Sequence, residues 1–183
     1  MSKKAIITVR NLLLLALLMF FVLSCDEDKE VTLSDLSSFG ENFNQGCGDF
    51  VVYAFSPDKR YALKIRSNED QFLTENGVAI DLKTSTTVQA TLMDHRDYTE
   101  SSLSRELYCT DVVLGGVLAP GKLVTWDINE GTVIFNKGPE DENSHRYDVT
   151  TEVKNLKIKI DGKEFILDDF KIENISVGWY SGK

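Results

Sequence analysis

Histidine is almost missing from this chain: His95 and His145 are its whole supply. Neither stands in a recognisable motif. The chain also lacks G-x-S-x-G, H-E-x-x-H and any phosphate-cradling glycine loop, so acyl-transfer, zinc-peptidase and nucleotide chemistry leave no signature in it. Triads assemble in space rather than along a chain, so these absences weigh against an enzyme without excluding one. Cysteine is scarce as well, at three residues: Cys25, Cys47 and Cys109. A zinc site would want further Cys or His close by, and no cofactor is expected. Beyond Cys25 no stretch of ten or more residues carries a helical apolar stripe, and no internal repeat is present. Positive charge is in short supply too. With 20 basic against 29 acidic residues and a formal charge of −9, the chain would be repelled by phosphate backbones, and nucleic acid is excluded as an expected partner.

Long apolar runs are missing except for one. Leu12 to Leu23 is uninterrupted, and it follows Lys3, Lys4 and Arg10. A secretory signal wants about 7 to 15 apolar residues behind positive charge, whereas a spanning helix wants roughly 20. Lengthening the run back to Ala5 would place Arg10 and Asn11 inside the bilayer at considerable cost. The run therefore reads as a signal, residues 1–24. Val22-Leu23-Ser24-Cys25 then resembles the bacterial lipobox: an aliphatic, a second residue, a small residue and cysteine. That resemblance implies lipid on the Cys25 thiol, cleavage before it and acylation of the new amine. Each buried methylene contributes about 0.8 kcal/mol, so two or three chains anchor durably. The competing reading is an ordinary secretory signal with a chance cysteine.

Asp26-Glu27-Asp28-Lys29-Glu30 follows. The tract resembles the acidic signal that sends lipoproteins of the Bacteroidota to the outer face of the outer membrane. An aspartate after the cysteine is also a retention signal in proteobacterial lipoproteins, which keeps the periplasmic side in play, and a plain hydrated tether is the bland reading. The mature region, with Tyr108-Cys109-Thr110-Asp111-Val112, resembles small surface lipoproteins of that phylum, a likeness that implies no activity.

Cleavage leaves 159 residues, one domain's worth. The signal carries three of the basic residues and none of the acidic ones, which takes the formal charge to −12. Anionic headgroups would repel such a surface, leaving the lipid on Cys25 as the membrane attachment. In an oxidising compartment the two remaining cysteines, Cys47 and Cys109, read as one disulfide. It would close a loop of about 60 residues and stabilise by roughly 4 kcal/mol. Two buried thiols or two metal ligands are the alternatives.

Residues 25–45 are acidic and rich in Ser, Asn and Gly, and read as a flexible tether, with a short helical turn begun by Ser34. From residue 46 to 183 the pattern is period two. Asp49–Phe55 is β-branched and aromatic, and Ser56-Pro57-Asp58-Lys59 is a turn. Tyr61, Leu63 and Ile65 alternate with Ala62, Lys64 and Arg66, one face buried and the other solvated. Similar alternation marks 78–82 and 88–93. Residues 94–106 read as a connection and 107–114 as strand-like. Lys122–Ile128 and Thr132–Phe135 suggest a hairpin about Asn129-Glu130-Gly131, and Lys137–His145 an acidic loop. Parity changes near Lys154-Asn155 and Glu173-Asn174 call for β-bulges, and Asp161-Gly162 for a two-residue hairpin turn. Eight to ten such strands predict an all-β domain: an antiparallel sandwich, or alternatively a closed lipocalin-like barrel. No G-x-W near the first strand supports the barrel.

Three groups of residues are candidate sites. The carboxylate pairs Asp168-Asp169 and Asp141-Glu142 invite a glycosidase reading, although adjacent residues of a strand face opposite ways. The loop of Glu140 to Glu142 could hold calcium, but it lacks the D-x-D-x-D-G spacing. Trp126, Trp179 and Tyr180 could offer an aromatic platform, against a general tendency for such residues to be core. Trp179 and Tyr180 are adjacent, so one of them faces outward and is the best contact residue. These features predict a binding module for a protein or glycan partner, with a carrier of an apolar small molecule as the alternative.

Overall fold

A computed structural model describes residues 31, 32, 36, 38, 39, 45–48, 50–94 and 124–178. The chain divides into two compact units, Met1–Glu30 and Val31–Lys183, and the description below concerns the second.

Ten strands and one short helix make up the described part of this unit: β1 (Gln45–Cys47), β2 (Val51–Phe55), β3 (Tyr61–Ser67), α1 (Glu69–Thr74), β4 (Ala79–Asp81), β5 (Val88–Asp94), β6 (Val124–Ile128), β7 (Glu130–Asp141), β8 (Arg146–Ile160), β9 (Lys163–Ile166) and β10 (Phe170–Val177). They form two antiparallel sheets. The first runs β1-β2-β3-β5-β6; the second runs β10-β8-β7-β4, with β9 also on β8. The sheets stay open, so the architecture is an all-β sandwich and the lipocalin-like barrel is ruled out.

Alternation explains the core. Tyr61, Leu63 and Ile65 of β3 and Val88, Ala90 and Leu92 of β5 point inward, where they meet Val133, Phe135, Val149, Val153, Ile158 and Ile172 of the second sheet in one cluster. Two bulges keep that pattern in phase. Register runs from Thr132↔Lys154 to Glu130↔Lys157, so β8 carries an extra residue at Asn155, whose φ is 51°. Both Val153 and Leu156 are thereby buried. On β10 the register moves from Ile172↔Thr151 to Ile175↔Val149, with Asn174 at φ 58°. Asp161 and Gly162, at φ 48° and 83°, close the β8–β9 turn; two left-handed residues are what a type I′ hairpin needs.

Four expectations need correction. Asn129 does not head a hairpin: β6 pairs with β5 and β7 with β8, so the chain changes sheets there. Gly131, at φ 130°, lies against Leu156, whose Cα would sit 2.9 Å from an added Cβ. Residues 137–141 of the expected acidic loop continue β7 as strand, leaving a turn of 142–145. They pair with β8 through Asp141↔Arg146, and the ladder outweighs their polar composition. The 25–45 stretch is no tether throughout, because Val31, Leu36 and Phe39 bury their side chains in the core. Finally, Ala62 is fully buried, so the outer face of the first sheet is not simply solvated.

Helix α1 was not signalled by periodicity, since Phe72 is its one buried residue. Local chemistry starts it: the Asn68 side chain accepts from the Gln71 N–H at 2.8 Å, and Glu69 and Asp70 occupy the first turn, where the positive end of the helix dipole favours them.

Candidate functional site

A cleft with mixed chemistry lies on the described surface. It arises where the second sheet is interrupted. Strands β9 and β10 both lie along the same edge of β8, β9 on Lys157–Ile160 and β10 on Tyr147–Val153. Between them, residues 167–169 step out of the ladder opposite the Asn155 bulge. The Leu167 N–H still reaches the Leu156 carbonyl at 2.9 Å, which keeps Leu167 buried. The Asn155 N–H, left without a ladder partner by the bulge, donates to Asp169 Oδ1 at 2.9 Å. A bulge on one strand and a break on its neighbour therefore compensate each other.

Leu36, Ser38 and Phe39 pack over this break. With Asp168, Asp169, Phe170 and Lys171 they line a cleft of about 270 Å³. The Phe39 and Phe170 rings lie 5.9 Å apart, tilted by 32°, and form an apolar floor with Leu36. The rim is ionic. Asp168 is exposed, Asp169 is tied to the bulge, and Lys171 pairs with Glu152 at 3.3 Å. Glu152 also pairs with Lys154 at 3.1 Å. Hydrogen bonds from Lys154 first, and then from Lys171, hold the Glu152 carboxyl below its ordinary range. Such a cleft can accept hydroxyls or amides at Asp168 and offer a cation at Lys171 over an apolar base.

Asp168 and Asp169, read from sequence as a carboxylate pair, lie in the loop between β9 and β10 rather than in a strand, and Asp169 spends one oxygen on a backbone N–H.

His145 lies in the β7–β8 turn, with Nδ1 2.7 Å from Glu140 Oε1, and Tyr147 Oη donates to Glu140 Oε2 at 3.0 Å. Those two contacts, His145 first, pull the Glu140 carboxyl below its usual range. Asp141 closes the turn: Ser144 Oγ donates to Oδ2 at 2.8 Å and the Asn143 N–H to Oδ1 at 3.0 Å. Its pKa is lowered for the same reason, Ser144 being the larger cause. The Glu140 and Asp141 oxygens expected as calcium ligands are thus spent on the hairpin. Ser144, the hydroxyl nearest His145 in sequence, is engaged by Asp141 instead. Among the described residues no group of three His, Cys, Asp or Glu side chains is placed to hold a metal ion.

Trp126 packs against the main core, half-buried. Cys47 is buried at 1 % exposure. Cys25, His95, Cys109, Trp179 and Tyr180 lie outside the described residues. Sequence reasoning missed Leu36, Ser38 and Phe39. The one available signal was two apolar residues three apart in an otherwise polar stretch.

Compared with known proteins, the chain matches no protein-family profile, no curated protein and no solved structure.

Proposed function

We propose that the chain is a lipid-anchored lipoprotein of the cell envelope, resident at the outer membrane through lipid on Cys25, whose sandwich binds a protein or glycan partner without catalysing a reaction on it. The observation that carries this reading is the Leu36–Phe39/Asp168–Lys171 cleft, where a hydrogen-bonding rim stands over an apolar floor. Ligand sites commonly combine a mostly apolar lining with a few convergent polar groups. An oligosaccharide presents that combination of hydroxyls and ring C–H faces, and so does a polar peptide. The open sandwich removes the ground for the carrier reading, which needed a barrel interior.

A Cys47–Cys109 disulfide belongs to the same proposal. It is supported by the burial of Cys47 and by the pairing of the two cysteines left after Cys25 in an exported chain. Surface display draws its support from the acidic residues after Cys25, and a contact role for Trp179 or Tyr180 from their adjacency.

The anchor is tested by detergent phase partition of the exported chain. The wild type should enter the detergent phase and Cys25→Ser the aqueous one; equal partition would refute lipidation. The cleft is tested with the soluble domain, Asp26–Lys183, on oligosaccharide and surface-protein arrays. Asp168→Ala with Lys171→Ala should weaken whatever binds about tenfold or more, the loss of one or two charged hydrogen bonds. Unchanged binding would refute the cleft, and alanine at Trp179 and Tyr180 would then test the alternative contact.

A further inference from the structure

We propose, on the footing that the cleft at the break between β9 and β10 is the binding site, that it receives the side chain of an arginine exposed on a partner protein. Floor and rim point to a cation independently of each other. Phe170 lines the cleft and is only half-buried, so part of its ring stays open there. Phe39 backs that ring at 5.9 Å and, like Leu36, is buried. The face of an aromatic ring is the negative side of its quadrupole and attracts a cation laid over it. The rim adds carboxylate. Asp168 is exposed and, among the described residues, takes no hydrogen bond and no ion pair. Asp169 stands beside it, with one oxygen given to the Asn155 N–H.

The cations nearby are already committed. Lys171 and Lys154 both pair with Glu152, at 3.3 and 3.1 Å. Asp168, Asp169 and Glu152 outnumber those two ammonium groups by one negative charge, and the carboxylate left over is Asp168. The formal charge of the whole chain, −9, has the same sign and steers cations toward the surface. A neutral sugar ring could stack on Phe170 but would leave the charge of Asp168 uncompensated. Of the two basic side chains, arginine fits better. Its guanidinium is planar, sheds water more readily than an ammonium, stacks on aromatic rings and offers paired N–H groups to a carboxylate. Its apolar stem suits the side of the cleft formed by Leu36 and Phe39. A volume of about 270 Å³ admits one such side chain but not a helix, whose diameter alone is about 10 Å. The partner's backbone therefore stays outside while the arginine enters.

Saturation-transfer NMR on the exported full chain in detergent tests the assignment with two probes: the tripeptide acetyl-Gly-Arg-Gly-amide and its citrulline counterpart, which has the same shape and no charge. The arginine peptide should bind saturably, with a Kd at least about tenfold below that of the citrulline peptide, and Asp168→Asn should abolish the difference. That variant keeps the side-chain shape at an exposed position without a structural partner, so folding is not at stake. Arginine binding that survives Asp168→Asn unchanged places the cation elsewhere on the acidic surface and overturns the assignment. Equal binding of the two peptides, or none by either, overturns it as well. The cleft itself is then decided separately by the array test, where a neutral oligosaccharide weakened by Asp168→Asn would take the arginine's place.

Discussion

Phe72 is the single residue on which the small helix depends, and Phe72→Ala gives the sharpest test of the packing argument. Its side chain is fully buried. Ring centroids of Phe50, Phe135 and Tyr147 stand 4.9, 5.5 and 5.9 Å away, so one ring ties the approach to β2 to both long strands of the second sheet. A Phe→Ala change in a core costs about 3 to 5 kcal/mol. The upper half of that range applies here, because each aromatic pair adds roughly 0.5 to 1.5 kcal/mol beyond area. The helix has six residues, far below the dozen or so that an isolated helix needs to persist. Without the ring it has no other buried anchor. Lys137 would then lose both its place over the ring, 5.5 Å from the centroid, and the helix-end carbonyls of Phe72 and Leu73 that its ammonium caps. Urea unfolding followed through Trp126 should show the midpoint falling by about 2 M, taking a slope near 2 kcal/mol per M. Phe72→Leu should cost about 1.5 kcal/mol. A fall below about 0.5 M for the alanine variant would mean that the ring is not an anchor.

Gly131→Ala should destabilise by at least about 2 kcal/mol, since φ is 130° and the added carbon meets Leu156 backbone at 2.9 Å; an unchanged thermal midpoint would refute a backbone requirement at the sheet crossing. Asp169→Ala should cost about 1 kcal/mol by stranding the Asn155 N–H, and faster hydrogen exchange at that amide is the specific readout. Glu130, Glu140, Asp141 and Glu152 all have carboxyl groups held below their ordinary range by hydrogen bonds. A folded-state pKa below the unfolded one gives stability that is present above the ordinary carboxylate range and lost as pH falls through the folded values. Thermal midpoints should therefore be flat near neutrality and drop below about pH 4, and a midpoint that rose on acidification would refute the assignment.

Much of the sandwich was legible because period-two alternation is a local property. The bulges at Asn155 and Asn174 could be placed from sequence, since a bulge changes apolar parity and parity can be counted. The sheet change at Asn129 could not. Residues 129–131 have turn composition either way, and whether β6 pairs with β7 or with β5 depends on a partner more than thirty residues upstream. Residues 137–141 looked like loop because strand composition is judged on side chains, while the β8 ladder holds them through backbone groups. Phe72 gave no stripe because one buried residue has no period.

The cleft was invisible for a related reason, which also says what kind of site it is. Asp168 and Asp169 read as an isolated acidic pair along the chain. Their meaning comes from the extra residue at Asn155, which strands one backbone N–H and obliges β8's neighbour to supply an acceptor from a side chain. Asp169 supplies it, and to do so the chain must leave the ladder between β9 and β10. That departure opens the edge of the sheet to the Leu36–Phe39 segment and leaves Asp168 facing outward with no structural duty of its own. Shortening β8 by deleting Asn155 would restore the ladder but would also turn either Val153 or Leu156 out of the core, because the bulge keeps both inside. The fold thus keeps the bulge to fill its core, and the cleft follows from it. Asp168, exposed at the rim, can then vary without touching the residues that hold the sandwich together.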